Sequence, residues 1–256
     1  MKIASWNVNS LRVRLPHVLE WMRTAAPDVL GIQETKTKDA DFPVREFADA
    51  GFNVAFAGQP TYNGVAIVAR NGIDAAVHDL DGFDDEQRRV LCATIGGVRV
   101  INLYVPNGQS VDSDKYRYKL RWLAALRAHL ERELREHRHC VVLGDFNIAP
   151  EDRDVHDPEQ WRGKVLCSDA EREALNNILE LGFVDTFRLF EDGSGSFSWW
   201  DYRAAAFRRN MGLRIDLVLA SNALARACTA ASIDVEPRRW ERPSDHTPVL
   251  AEFALD

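Results

Sequence analysis

What most constrains this chain is the recurrence of short runs of β-branched and aliphatic residues: KIASWNV, DVLGIQE, GVAIVAR, LCATI, VRVINLYV, HCVVLGDF, RIDLVLA and PVLAEFAL. Runs of this length and composition predict strands. Between LCATI and VRVINLYV stand Gly96 and Gly97. Glycine supplies the positive φ that a two-residue primed turn requires, so this pair is expected to close an antiparallel hairpin. Helical patterns lie between the strands: LPHVLEWMRTA with Pro16 near its first turn, then KYRYKLRWLAALRAHLERELREH, then SDAEREALNNILELG. In the second, Leu120, Leu123, Leu126, Leu130 and Leu134 form one apolar stripe at helical spacing, which reads as core. The third opens on a capping box, Ser168 and Glu171, and stops at Gly182. Strands mixed with helices and at least one hairpin point to an α/β or α+β sandwich, not a purely parallel sheet. With no repeat, low-complexity stretch or Pro/Gly-rich linker, residues 1–256 are expected to make one domain.

No apolar run approaches the length of a membrane span, and MKIASWNVNS turns polar too early for a signal peptide, which gives the expectation of a cytoplasmic protein. Cys92, Cys140, Cys167 and Cys228 are scattered without a CxxC pair, so buried free thiols are expected in place of zinc ligands or disulfides. A net charge of −7 argues against a protein that coats nucleic acid non-specifically. Basic residues are nevertheless uneven: 115–139 carries eight Lys/Arg against three Glu, and 203–214 carries four Arg with no acid.

Polar residues cluster where the apolar runs stop. Asn7 and Asn9 follow KIASW, Glu34 follows VLGIQ, Tyr104 and Asn107 follow VINL, and Asp145 and Asn147 follow VVLG. Ligand sites in layered α/β folds gather at strand ends. The oxygens of Glu34, Asp145 and Asp245 are ligands that a hard divalent cation such as Mg²⁺ prefers, and asparagines can coordinate, orient water or hold phosphate. The plainer alternative is pairing of these acids with surface cations such as Lys36. Asp216 is the sharpest anomaly, a carboxylate interrupting the apolar run RIDLVLA. Burying it unpaired costs several kcal/mol, so a partner is expected, either Arg214 on the same strand face or a distant histidine. His17, His129, His137, His139 and His156 fall in surface helix or loop patterns and His78 in a polar loop, whereas His246 alone abuts the strand-end region. An Asp holding a His also fixes an imidazole in one tautomer for acid–base or electrophilic work.

Taken together, KIASWNVNSLR, LGIQETK, YNGVAIVAR, NLYVPNG, LGDFNIAP, SWWDYR, GLRIDLVLAS and SDHTPV resemble the bacterial exonuclease III family of apurinic/apyrimidinic endonucleases, within the endonuclease/exonuclease/phosphatase superfamily. GDFN and SDHTPV recur across the superfamily, which also holds phosphoesterases of RNA and phosphoinositides; LYVPNG, SWWDYR and GLRIDLVLAS point to the DNA-repair branch. The resemblance implies a four-layer α/β sandwich, two mixed sheets packed face to face with helices outside. It implies a Mg²⁺- or Mn²⁺-dependent phosphodiesterase, a monomer acting on duplex DNA, that trims 3′ ends and incises 5′ to abasic sites. By the same resemblance Glu34 is the principal metal ligand, with Asn7 and Asp245 completing or adjusting the shell. Asp145 activates water, with His246 as the other candidate for the base, and Asn147 orients it, Asp145 and Asn147 both being close enough to the metal to share in holding it. Tyr104, Asn107 and His246 contact the scissile phosphate, and Asp216 orients the histidine. Asn9 is grouped with the substrate contacts, Trp199 and Leu213 wall a pocket for an abasic sugar, and Arg203, Arg208 and Arg209 contact phosphates. After YVPNG the chain reads QSVDSDKYRYK, without the arginine that some relatives place near DNA.

Overall fold

The computed structural model describes residues 1–255. Its strands are β1 (Lys2–Asn7), β2 (Val29–Gln33), β3 (Asn53–Ala57), β4 (Val65–Ala69), β5 (Asp74–Val77), β6 (Val90–Ile95) and β7 (Val98–Tyr104). They continue as β8 (Cys140–Asp145), β9 (Phe183–Asp185), β10 (Trp199–Trp200), β11 (Gly212–Leu213), β12 (Asp216–Ser221), β13 (Cys228–Ile233) and β14 (Val249–Phe253). The helices are α1 (Leu11–Ala25), α2 (Val44–Asp49), α3 (Asp114–Glu136), α4 (Pro158–Trp161), α5 (Asp169–Leu179) and α6 (Asn222–Ala225).

Two six-stranded sheets result, ordered β13-β14-β1-β2-β4-β3 and β5-β6-β7-β8-β12-β9, with β10 and β11 as a separate hairpin. Both sheets are mixed: β1 runs parallel to β2 and β7 parallel to β8, while the other pairings are antiparallel. Every apolar run read as a strand forms one, and Gly96 and Gly97 take φ of 55° and 79° at the β6–β7 turn.

Period-two alternation then assigns each strand residue to a layer. Ile3 of β1, Val100 of β7, Val141 and Leu143 of β8 and Val218 and Ala220 of β12 share a core between the sheets. Ala4 and Trp6 turn the other way, onto the α1 side, and Val142, Leu217 and Leu219 onto α3 and α5. The same alternation carries Asn7, Tyr104, Asp145 and Asp216 into the layer between the sheets at one end.

Three local expectations change. Pro16 lies inside α1, which already starts at Leu11, so the helix carries the missing N–H in its second turn. His129 is not a surface residue; it is buried, between the Cys92 sulfur and Glu133, each 3.5 Å from its Nε2. Cys228 is only half-buried, while Cys92, Cys140 and Cys167 are buried free thiols. The Ser168–Glu171 capping box forms with both reciprocal bonds. Among the described residues no helix is long and apolar enough to cross a membrane.

Candidate active site

Strand register brings the acids together. Asp145 is paired with Tyr104 across the parallel β7–β8 ladder and with Asp216 across the antiparallel β8–β12 ladder, so three adjacent strands present polar side chains at one level. From the opposite sheet, Asn7 ends β1 and Glu34 follows β2. Asn7 is completely buried and spans the gap: its Nδ2 donates to Glu34 Oε1 and to Asp145 Oδ2, both at 2.9 Å. Its Oδ1 accepts from the Asn9 backbone N–H at 3.0 Å, which fixes the amide with its donors toward the acids. The Asn7 amide thus bridges Glu34 and Asp145 through its nitrogen, with its oxygen on the Asn9 N–H.

His246 answers the question of Asp216. Its Nδ1 lies 2.9 Å from Asp216 Oδ2 and its Nε2 3.7 Å from Asp145 Oδ2. Arg214 is committed elsewhere, to Asp154 at 2.6 Å and Asp185 at 2.7 Å. The backbone on both sides is tied down: Ser198 Oγ accepts from the N–H groups of Ile215 and Asp216, and Ser244 Oγ donates to the Asn7 carbonyl while accepting from His246 N–H. Neither serine stands out in the sequence, because a buried serine that bonds only to backbone groups looks like any turn residue.

Burial pushes the Asp145 carboxyl up, and Asp216 and Glu34 push it further against the pull of His246 and Asn7, to about 7. Burial alone would lower the His246 imidazole, but Asp216 and then Asp145 outweigh it and raise it to about 10. Burial, with Glu34 and Asp145, also raises the Tyr104 phenol well above its ordinary value, so it stays a proton donor. The sign of the stability linkage follows. A histidine raised in the folded state stabilises fully below its unfolded value of 6.5, and that stabilisation is lost as pH climbs toward about 10. Above pH 7 the Asp145 contribution, which has the same sign, is already spent. In chelator the melting temperature is therefore expected to fall between pH 7 and 10, more steeply in the wild type than in His246→Asn; parallel curves would contradict the imidazolium.

Glu34, Asp145 and His246 each offer a donor atom within 4.8 Å of one another. Two carboxylates converging in a mostly buried site fit a hard divalent cation. Lys36 contacts Glu34 at 2.9 Å and Asn9 Oδ1 at 2.6 Å, so the plainer pairing foreseen for Glu34 is also present. Asp245 stands outside the cluster: its oxygens accept from Asn9 Nδ2 at 2.9 Å and Trp199 Nε1 at 3.0 Å. Burial pushes its carboxyl up, but His246 and those two hydrogen bonds prevail and hold it below the ordinary value. Asn107 Nδ2 donates to Asn147 Oδ1 at 3.0 Å, and the Asn147 N–H donates to Asp145 Oδ1 at 2.9 Å. That Asn147 oxygen thus faces Asn107.

The outer residues sort differently from expectation. Leu213 is fully buried, packed with Ala149, Val155 and Ile215 and paired to Trp199 across the β10–β11 hairpin. A cleft of about 240 Å³ is lined by Trp199 with residues including His156, Trp161, Lys164 and Met211. Trp200 is core, 2% exposed. Arg203 is paired with Asp201 at 2.7 Å, an acid just outside the acid-free run, while Arg208 and Arg209 are exposed.

The model of the Endonuclease/Exonuclease/phosphatase family matches residues 4–246. The chain is 36% identical to exodeoxyribonuclease III of Haemophilus influenzae, over 99% of this chain and 100% of that one. Its structure is similar to that of the 3′ phosphatase NExo from Neisseria bound to product DNA hairpin, at 46% identity and a TM-score of 0.98, with all of both chains covered. An AP endonuclease from Archaeoglobus fulgidus is similar at 40% identity and a TM-score of 0.96, again over both whole chains. The chain belongs to the endonuclease/exonuclease/phosphatase family.

Proposed function

We propose that this protein is a divalent-metal-dependent DNA-repair nuclease that hydrolyses phosphodiesters at 3′ ends of duplex DNA, clears blocked 3′ termini and incises 5′ to abasic sites, working as a cytoplasmic monomer. The observation that carries this reading is the convergence of Asn7 and Glu34 from one sheet with Asp145, Asp216 and His246 from the other. The full-length likeness to an exodeoxyribonuclease III, a 3′ phosphatase and an AP endonuclease supports DNA as the substrate.

The electrostatics divide the roles. Asp145 is a buried carboxylate fixed by the Asn147 N–H on one oxygen and Asn7 Nδ2 on the other, which places it as the base that receives a proton from the attacking water. His246, held as an imidazolium by Asp216, is suited to neutralise charge on a phosphoryl oxygen and not to accept the proton. As a water oxygen bonds to phosphorus, the bond to the leaving 3′ oxygen breaks in line. Tyr104 and Asn107, at the ends of the adjoining strand and loop, supply neutral donors for the phosphate. Mg²⁺ or Mn²⁺ held by Glu34 and Asp145 would supply positive charge beside the phosphoryl and leaving oxygens. Trp199, over its cleft, and Arg208 and Arg209 are the nearest candidates for contacts to sugar and phosphate outside the reacting group.

The test is product mapping on one labelled duplex carrying an abasic site, a 3′-phosphate and an ordinary 3′ end. Cleavage is expected at all three with Mg²⁺, to stop in EDTA and to return on Mg²⁺ addition. Turnover unchanged in chelator, or cleavage confined to an RNA or inositol phosphate control, would overturn the reading.

A further inference from the structure

Lys119 lies on α3 in phase with Leu123, Leu126 and Leu130, on the face turned to the core, and is completely buried. Burying an ammonium is expensive, and an apolar side chain would extend the stripe without that cost. Its three protons nevertheless have three acceptors. Nζ donates to Glu171 Oε1 at 2.5 Å, to the Asn147 carbonyl at 2.6 Å and to the Asn107 carbonyl at 3.2 Å.

The last two belong to the asparagines whose side chains meet beside Asp145. They sit on loops leaving different strands, β7 and β8, joined at their start where the Val105 N–H donates to the Asp145 carbonyl at 2.9 Å and Asn147 Nδ2 donates to the Val105 carbonyl at 3.0 Å; Lys119 adds a third tie that reaches Asn107 itself. Asn147 holds a left-handed backbone, φ 49°, a conformation that needs local support in a residue other than glycine. Gly108, φ 95°, lets the Asn107 loop close over the lysine stem; a Cβ there would come within 3.3 Å of Lys119 Cδ.

Glu171 closes the arrangement from the far side. Its carboxylate accepts from Lys119, from the backbone N–H groups of Leu166 and Ser168, and from Ser168 Oγ. One buried ion pair thus anchors the start of α5, the first turns of α3 and both asparagine loops.

We infer that Lys119, braced by Glu171, is a positioning residue that sets the spacing and orientation of Asn107 and Asn147 at the phosphate. The inference rests on the nuclease reading above. It touches no substrate itself; it acts by holding two backbone carbonyls, and a misplacement of about 1 Å at such a site can cost about 10²-fold in rate.

Two variants test it, assayed on the labelled duplex at saturating Mg²⁺ with melting temperatures taken in parallel. Lys119→Met strands a buried carboxylate and is expected to lower both stability and kcat. Lys119→Met combined with Glu171→Gln removes both charges while keeping one side-chain oxygen in the place of Oε2, which accepts from the Ser168 N–H and hydroxyl. The double variant is expected to melt within about 4 °C of the wild type. Its kcat should nevertheless remain down by about 10²-fold, with KM changed by less than about threefold. A double variant with wild-type kcat, or one that no longer unfolds cooperatively, would assign Lys119 to structure alone and overturn the inference. A wild-type protein that leaves the duplex intact would instead remove the nuclease reading and this inference with it.

Discussion

Replacing Asp145 by asparagine is expected to lower kcat on a duplex 3′ end by about 10⁴-fold, the upper range for loss of a general base. The melting temperature should hold or rise. Asp145 is 1% exposed, faces Asp216 and Glu34, and its carboxyl is raised to about 7, so its charged form is destabilised by the fold. The amide oxygen of the replacement can still accept from Asn147 N–H or Asn7 Nδ2. Loss of turnover without loss of stability is the signature of a group kept for chemistry. A variant retaining more than about a tenth of wild-type kcat would assign the proton to another residue.

The second large effect concerns His246. Truncation to alanine leaves Asp216 buried with no counter-charge, and breaking such a pair from one side costs about 3–5 kcal/mol. Turnover should fall by about 10³-fold, as when one preorganised donor to the developing charge is removed. Adding Asp216→Ala to His246→Ala is expected to recover much of the stability and none of the turnover. The coupling between the two substitutions is the measurable quantity. Strictly additive stability losses would contradict the 2.9 Å contact as an energetic partnership.

Much of this arrangement was legible before any coordinates. Strands buried on both faces announce themselves, so β1, β2, β4, β6, β7, β8, β12 and β14 could be read from their apolar runs. The strands left unread are mainly those at or near sheet edges. All four residues of β5 are exposed, and β13 and β3 carry small or half-buried side chains that pack against one neighbour. An edge strand takes its order from backbone bonds to the next strand, which leave no mark in side-chain type.

Asp216 was conspicuous because a carboxylate in RIDLVLA violates the composition of its own strand. Choosing between Arg214 and His246 as its partner needed the third dimension: Arg214 stands two residues away in sequence, yet on the loop before β12 it meets Asp154 and Asp185. Lys119 did leave a trace, a cation in phase with the leucines of α3. Reading the stripe through Leu120 hid it, for Leu120 is only half-buried while Lys119 has no exposure. The direction of the Asn7 amide was beyond sequence altogether, since it is decided by a single backbone N–H two residues on.

The bond from Ser244 to the Asn7 carbonyl joins residues 237 positions apart. The strand that follows the SDH turn pairs with the strand that ends at Asn7. Contacts of such long sequence separation form only when most of the chain is available to fold. A growing polypeptide therefore carries Glu34 and Asp145 long before it carries His246, and the cluster cannot assemble until the SDH turn has been made. The capacity to cut arrives with the closing of the fold, which makes activity itself a report that the molecule has been built to the end of that turn.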